Sequence, residues 1–341
     1  MQILEHPPSA QLDPAEALGL LKPLPAIVPY GELRLGVQHE PEDVVVNLLH
    51  RGCKLILGGT SKSNKSWCLL DLAVSIANGK PWLGFGTKQG KVLFINFELQ
   101  PWAIQRRLRD ILFNRPDLKE TDDNLHVWNL RGHNSDLTTL RPRLESQLEE
   151  TDYSAIIIDP AYKVLGDRDE NANGEIASLM NEFEALAQKS GAAIVIAHHF
   201  AKGDSSAKSA IDRMSGAGAW ARDPDSILVM SPHEEENAFS VSVILRNHPP
   251  VDDFVVQWSF PLMSVATDLD PANLRTPQSK NKKCTDAEFL SCFTQTPSDR
   301  SEILRVAKEK FNLSESRVYA LIGEQIKAGK LKEIGRKVYL A

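Results

Sequence analysis

An α/β fold is what the sequence predicts: a mostly parallel sheet between helices, then a small C-terminal domain of helices closed by a β-hairpin. Three observations predict it. Five runs are apolar almost throughout: KLILGG, KVLFINFE, SAIIIDP, AAIVIAHH and DSILVM. Between them lie stretches whose apolar residues recur at helical spacing, and strands that alternate with helices and are apolar on both faces imply parallel pairing. After a polar, Pro- and Lys-rich segment come three helical patterns and a final hairpin turned around Gly335.

The elements follow in order. Residues 1–45 read as a lead-in, with prolines at 7, 8, 14, 23, 25 and 29 and a short helix expected in EDVVVNLLHRG. The core is expected over 46–267. Its first strand, in KLILGG, is stopped by two glycines and enters a tight turn. SWCLLDLAVSIANGK follows as a helix, with Trp67, Leu70, Val74 and Ala77 on one stripe and Gly79 near its end. PWAIQRRLRDILF and GEIASLMNEFEALAQKSG are further helices between strands, and FSVSVILR and DDFVVQWSF alternate well enough to form an edge hairpin. Residues 268–284 lack periodicity and read as a linker. In 285–341 the helix starts carry Ser or Asp, which cap N-termini, and Asp299 has Glu302 three residues on. Three helices and a β-wing is the order of a winged-helix domain.

Composition excludes several classes. The 341-residue chain is 42% hydrophobic and 25% charged, with a net charge of −6, and it has no apolar run long enough for a membrane span. Its N-terminus has acids and prolines where a signal peptide needs basic residues and an apolar centre. Four scattered cysteines lack metal-site spacing, so reduced thiols and a cytoplasmic location are expected. Charge is uneven: from Ser298 onward ten Lys/Arg oppose six Asp/Glu. A basic tail on an acidic body points to an anionic partner, or simply to a solvated helical face.

The stretch GGTSKSNKSW, residues 58–67, nearly spells the phosphate-binding loop G-x-x-x-x-G-K-[ST], with Asn64 in place of the last glycine. Such a loop works because a strand ends, the backbone wraps the phosphates and a helix begins with its N–H groups aimed at them. Gly59, Thr60, Ser61, Lys62, Ser63, Asn64, Lys65, Ser66 and Trp67 are therefore the candidate nucleotide-binding residues. Lys65 would reach the β- and γ-phosphates and the Ser66 hydroxyl would hold Mg²⁺. Asn tolerates left-handed backbone better than other non-glycine residues, so the replacement is physically sound.

A phosphate loop needs an apolar strand ending in Asp near the metal, and AIIIDP supplies Asp159. Pro160 follows it, so a water-activating carboxylate must come from elsewhere. Glu98, ending KVLFINFE, is the candidate, because neighbouring parallel strands end on one ligand-binding edge; capping the helix PWAIQRRL is its structural alternative. AAIVIAHH ends in His198 and His199, either of which would sense the γ-phosphate. Metal binding there is disfavoured because adjacent strand side chains diverge, and a core histidine is the alternative.

Together these residues resemble the RecA-like P-loop ATPases, and within them the hexameric replicative helicases of the RepA type. The quoted features are GGTSKSNKSW, GKPWLGF, GKVLFINFELQP, AIIIDP, IVIAHHFAKG and SGAGAWARDPDSILVM, from about Leu55 to Trp258, or about three-fifths of the chain. DnaB-type helicase motors are similar more distantly. The resemblance implies ATP and Mg²⁺ as cofactors, Lys65 and Ser66 on phosphate and metal, Asp159 supporting the metal and Glu98 as catalytic base. It also implies a homo-oligomeric, hexameric ring in which a basic finger reaches the neighbouring subunit's site. Arg246 in ILRNHPP stands at that point, with Ile244 where DnaB-type proteins carry a partner lysine; Arg222 is the other candidate, and a local salt bridge is the alternative for both.

The loop FAKGDSSAKSAIDRMSGAG carries Lys202, Lys208 and Arg213. In the resembling family, loops here line the ring channel and contact single-stranded DNA, and mobile amides with a few cations suit a phosphate chain. In the C-terminal domain Arg317, Lys327 and Arg336 would meet duplex DNA, though such domains also contact proteins, a replication protein among them. The leading expectation is thus an ATP-driven motor on single-stranded DNA in the replication of a plasmid, phage or mobile element. An ATP-dependent DNA-binding regulator that does not unwind is the main rival, ahead of a recombinase-type filament former; a small-molecule kinase fits poorly.

Overall fold

The structure is a computed structural model and describes residues 26–36, 40–120, 123–133, 136–148, 150–199, 218–275, 285–311, 313, 315–335 and 337–341. The chain divides into two compact units, Met1–Pro41 and Glu42–Ala341. The described part of the first holds one short helix, α1 (Tyr30–Leu35), with no buried residue.

The second unit begins with a correction. The helix expected in EDVVVNLLHRG is instead a two-stranded hairpin, β1 (Asp43–Val45) paired with β2 (Leu49–His50). Its β-branched valines favour a pleated surface over a helix. Asn47 supplies the left-handed turn residue, φ 60°, and Val44, Val45, Leu48 and Leu49 are buried.

Nine strands then form one sheet. In chain order they are β3 (Lys54–Gly59), β4 (Lys91–Asn96), β5 (Leu125–Asn129), β6 (Tyr153–Asp159), β7 (Ala193–His199), β8 (Ser226–Pro232), β9 (Ala238–Leu245), β10 (Phe254–Ser259) and β11 (Leu262–Val265). Their spatial order is β11-β10-β9-β8-β3-β7-β6-β4-β5. The six from β8 to β5 pair in parallel and the last three antiparallel. The helices between them are α2 (Lys65–Asn78), α3 (Pro101–Asn114), α4 (Leu137–Leu148), α5 (Asn173–Ser190) and the short α6 (Ala219–Arg222).

Alternation along the strands divides the core into two layers. Leu55 and Leu57 of β3 pack with Leu69, Leu72 and Ile104 on one face, while Ile56 packs with Ile176, Phe183 and Trp220 on the other. The sheet is thereby sandwiched between helices, the mostly parallel α/β architecture the apolar runs predict.

Both edges of the sheet differ from expectation. β9 and β10 do form a hairpin, but β9 lies inside the sheet against β8, and the edge belongs to β11. The opposite edge is β5, whose residues LHVWN are only half-buried and too mixed in polarity to stand out as a strand. The start of the segment expected as a linker returns along the sheet: Arg275 N donates to Pro232 O at 2.9 Å and Ser240 Oγ to Pro271 O at 2.6 Å.

The C-terminal residues fold as α7 (Asp286–Leu290), the two-residue strand β12 (Ser298–Asp299), α8 (Arg300–Phe311), α9 (Glu315–Lys327) and a hairpin, β13 (Leu331–Ile334) with β14 (Lys337–Leu340). They enclose their own core, in which Phe289 and Phe293 meet Ile303, Val318, Leu321 and Val338. Thr285 and Glu288 form a capping box at the start of α7.

Candidate functional site

The parallel strands bring four chain segments to one edge. Their register sets Gly59 of β3 beside His199 of β7, and Asn96 of β4 beside Asp159 of β6. The loop after β3 turns through two left-handed residues, Lys62 (φ 65°) and Asn64 (φ 58°, ψ 23°). Asn64 thus adopts the conformation for which glycine is the usual residue. Gly59 is needed for a different reason: a Cβ there would sit 3.0 Å from Ser63 Oγ and 3.2 Å from Met230 O. Asn64 precedes the first turn of α2 and makes no side-chain cap. That turn's N–H groups therefore lack a side-chain acceptor at the cap, the arrangement that suits an anion.

Lys65 is 4% exposed and folds back across the loop. Its ammonium donates to Gly59 O at 2.9 Å and Thr60 O at 2.8 Å, and meets His199 Nδ1 at 3.1 Å. Burial pulls its pKa down to about 8, against the opposing pull of Asp159 and Glu98. Asp159 is buried and pushed up to about 6 by desolvation, moderated by a hydrogen bond from Ser66. A buried ammonium held by neutral groups of the loop and the His199 ring, an uncapped helix start and a hydroxyl on a buried carboxylate fit a phosphate with its metal ion: Lys65 and the loop amides would hold the first, Ser66 and Asp159 the second.

Glu98 lies just beyond β4, exposed at the same edge. Asn96, 1% exposed, braces it from behind: Oδ1 accepts from the N–H of Glu98 at 3.2 Å and of Leu99 at 2.9 Å. Asn96 Nδ2 donates to Leu99 O at 2.7 Å and to Asn129 Oδ1 at 3.0 Å. In front, the Tyr162 hydroxyl donates to Glu98 Oε1. Tyr162 belongs to a single 3₁₀ turn, Ala161–Val164, directly after Asp159 and Pro160. Burial and the neighbouring carboxylate push the Tyr162 phenol up, so it stays a donor. Beside it opens a polar cleft lined by Asp136, Lys163, Arg168 and Glu175.

The two histidines separate as strand neighbours must. His199 faces Lys65. His198 turns to the other face, 2% exposed, stacked on Trp220 at 4.1 Å and 19°, with Nδ1 3.7 Å from Glu170 Oε1. Burial lowers its pKa to about 3, which keeps it neutral; His198 is the core histidine of the pair.

Sequence reasoning missed three contributors: Asn96, Tyr162 and Arg107. Arg107, on α3, lies 4.6 Å over the Trp67 ring, and its charge is felt by Asp159. Trp67 in turn meets Trp258 at 5.7 Å and the exposed Phe260 at 5.3 Å, so the phosphate loop is flanked by an aromatic cluster.

Other expected residues are not at this edge. Arg246 follows β9, whose Leu245 pairs with Ser226, and Ser226 lies beside Leu55. Four strand residues at ~3.3 Å each then separate this level from Gly59. Arg246 Nη2 donates to Arg222 O, so both finger candidates share the edge opposite Lys65. Among the described residues neither forms an ion pair: Lys54 takes Asp223 at 2.5 Å and Glu184 at 2.7 Å. In the C-terminal module Arg317 is exposed and 3.3 Å from Glu324, and Lys327 is exposed. Lys202, Lys208, Arg213 and Arg336 lie outside the described residues.

A left-handed phosphate loop opening a helix, with two adjacent acid-tipped strands ending on the same edge of a parallel sheet, defines a RecA-like P-loop ATPase domain. The family model of the AAA domain matches residues 24–205, more than half of the chain, and the chain belongs to that family. No curated protein matches the chain. Among solved structures, one ATPase domain is similar at 9% identity and a TM-score of 0.45, over 61% of this chain and 82% of its own. Domains of this class bind nucleotide. Among the described residues no helix is long and apolar enough to cross a membrane.

Proposed function

We propose that this chain hydrolyses ATP with Mg²⁺ to drive a RepA-like motor along single-stranded DNA, during replication of a plasmid, phage or mobile element. The observation that carries the reading is the convergence on one sheet edge of Lys65, the Ser66–Asp159 pair, His199 and Glu98. Lys65 and the first-turn amides of α2 hold the phosphates. A bound Mg²⁺ supplies charge neutralisation there, held by Ser66 and supported by Asp159. Glu98, fixed by Asn96 and Tyr162, orients the attacking water and takes its proton. His199, already touching Lys65, follows the terminal phosphate.

Arg246 or Arg222 serves this chemistry only in another copy, because both sit at the far edge of their own sheet. A closed ring, six-membered as in the resembling helicases, supplies that neighbour. Single-stranded DNA meets the segment with Lys202, Lys208 and Arg213, together with Lys163 at the cleft beside Tyr162. The separate C-terminal core, with its helices and hairpin, supports a winged-helix domain that engages duplex DNA or a replication protein through Arg317, Lys327 and Arg336. The domain limits that go with this reading are 46–267 for the motor and 285–341 for the tail, in a cytoplasmic protein.

That same tail favours one rival, a nucleotide-dependent DNA-binding switch. Steady-state ATP hydrolysis with and without single-stranded DNA separates the two. The motor requires strong stimulation that Lys65→Ala and Glu98→Gln both abolish. ATP binding with little turnover, indifferent to single strands, would sink it in favour of the switch.

A further inference from the structure

At the sheet edge opposite the phosphate loop, two segments far apart in sequence meet. Asp43 opens β1, His50 ends β2, and His248 lies in the turn after β9. Each offers one ligand atom, and the three atoms lie within 4.8 Å of one another. Asp43 Oδ1, His50 Nδ1 and His248 Nε2 are all shielded from solvent. His50 Nδ1 stands 3.1 Å from Asp43 Oδ1, and the two imidazoles stack at 4.1 Å between centroids and 22°.

We propose that Asp43, His50 and His248 bind one divalent transition ion of the zinc class. Two imidazoles with one carboxylate suit Zn²⁺, Co²⁺ or Ni²⁺, whereas Mg²⁺ and Ca²⁺ take all-oxygen sets. Three protein ligands leave a fourth position for water. Ligand atoms around such an ion stand about 3.3 Å apart given its ~2.0–2.1 Å bonds, so separations of up to 4.8 Å need to contract by at most about 1.5 Å. His248 is where that movement would fall: it is only half-buried, in a turn ahead of Pro249 and Pro250, outside any strand. His50, 8% exposed and held in β2, is the fixed ligand. The ion would clip the hairpin ahead of the phosphate-loop strand to the turn that follows Arg246. The site does not depend on ATP hydrolysis.

Cobalt titration of the full chain, stripped with chelator and free of nucleotide, tests this. One equivalent of Co²⁺ should give the visible absorption of a nitrogen-ligated, four- or five-coordinate ion, and Zn²⁺ should bleach it. His248→Phe, which keeps an aromatic ring in the stack, and Asp43→Asn should each weaken Co²⁺ binding by more than about 100-fold, since even contacts behind a ligand are worth ~10–100-fold. Asp159→Asn, which removes the oxygen site at the phosphate loop, should leave the band intact. No band in the unaltered chain overturns the proposal. So does a band that survives in a folded His248→Phe or Asp43→Asn protein, or one that disappears only with Asp159→Asn.

Discussion

Tyr162 donates its phenolic hydrogen to the Glu98 carboxylate across 64 residues of sequence. The contact joins the end of β4 to the turn after β6, and the same ring lies 6.2 Å from His199. One phenol therefore touches the candidate base and stands next to the candidate sensor. Because the phenol remains protonated, it fixes one carboxylate oxygen and leaves the other for water.

Tyr162→Phe should lower kcat for ATP hydrolysis about tenfold, a part of the ~10²–10⁴-fold that a positioned general base contributes, and leave nucleotide Kd unchanged. Steady-state kinetics beside equilibrium binding of a fluorescent ATP analogue distinguishes this from a folding defect, which would weaken both.

Asn64 should be replaceable by glycine but not by alanine. Its left-handed backbone (φ 58°) carries no penalty for glycine, whereas other L-residues lose roughly 1–2 kcal/mol there. Asn64→Gly is expected within about 1 kcal/mol of the unaltered protein in urea unfolding. Asn64→Ala should be destabilised by roughly 1–2 kcal/mol and should bind ATP more weakly. Equal stability of both variants would refute the claim.

ATP affinity should fall at alkaline pH. With its pKa drawn to about 8, Lys65 is charged below that value and loses its proton above it. Phosphate binding favours the charged form, so Kd should be flat below pH 8 and then rise toward about tenfold per pH unit. A Kd flat to pH 10 would mean that Lys65 does not meet the phosphates.

Asp159 should cost stability while supporting the metal. Its folded pKa, about 6, lies above the unfolded value of 3.8, so its stabilising protonated form is lost as pH rises through 6. About two pKa units correspond to roughly 3 kcal/mol at pH 7. Asp159→Asn should therefore melt higher in metal-free buffer at pH 7, by an amount worth about 1–3 kcal/mol, yet lose more than about 99% of hydrolysis. An unchanged melting temperature would indicate that the carboxylate is solvated.

The legible parts of this molecule were those written locally. The phosphate loop is contiguous, and its demand for left-handed backbone at Asn64 could be read from one residue. Asp159 and Glu98 could be placed on one edge because apolar runs announce strands and neighbouring parallel strands end together. The hairpin at 43–50 was misread because its valines and leucines also fit one turn of an apolar helix, and only Asn47 hinted at the reversal. Asn96, Tyr162 and Arg107 were invisible for another reason. Each acts on a partner through tertiary proximity, and nothing in PWAIQRRLRD sets Arg107 apart from its arginine neighbours until the helix is laid against Trp67. His199 and His198 looked interchangeable in sequence; strand alternation, once the sheet was formed, gave them opposite faces.

The cluster beside the phosphate loop has an optical consequence. The chain has six tryptophans, and Trp67 directly follows Ser66, with the Arg107 guanidinium 4.6 Å over its ring and Trp258 as an energy-transfer neighbour. Trp82 and Trp220, fully buried, form a constant background. Any ligand that draws on Arg107 or rearranges the first turn of α2 changes the emission of Trp67 directly. The protein thus carries an intrinsic fluorophore at its nucleotide loop, and occupancy can be followed on the stopped-flow timescale without a label.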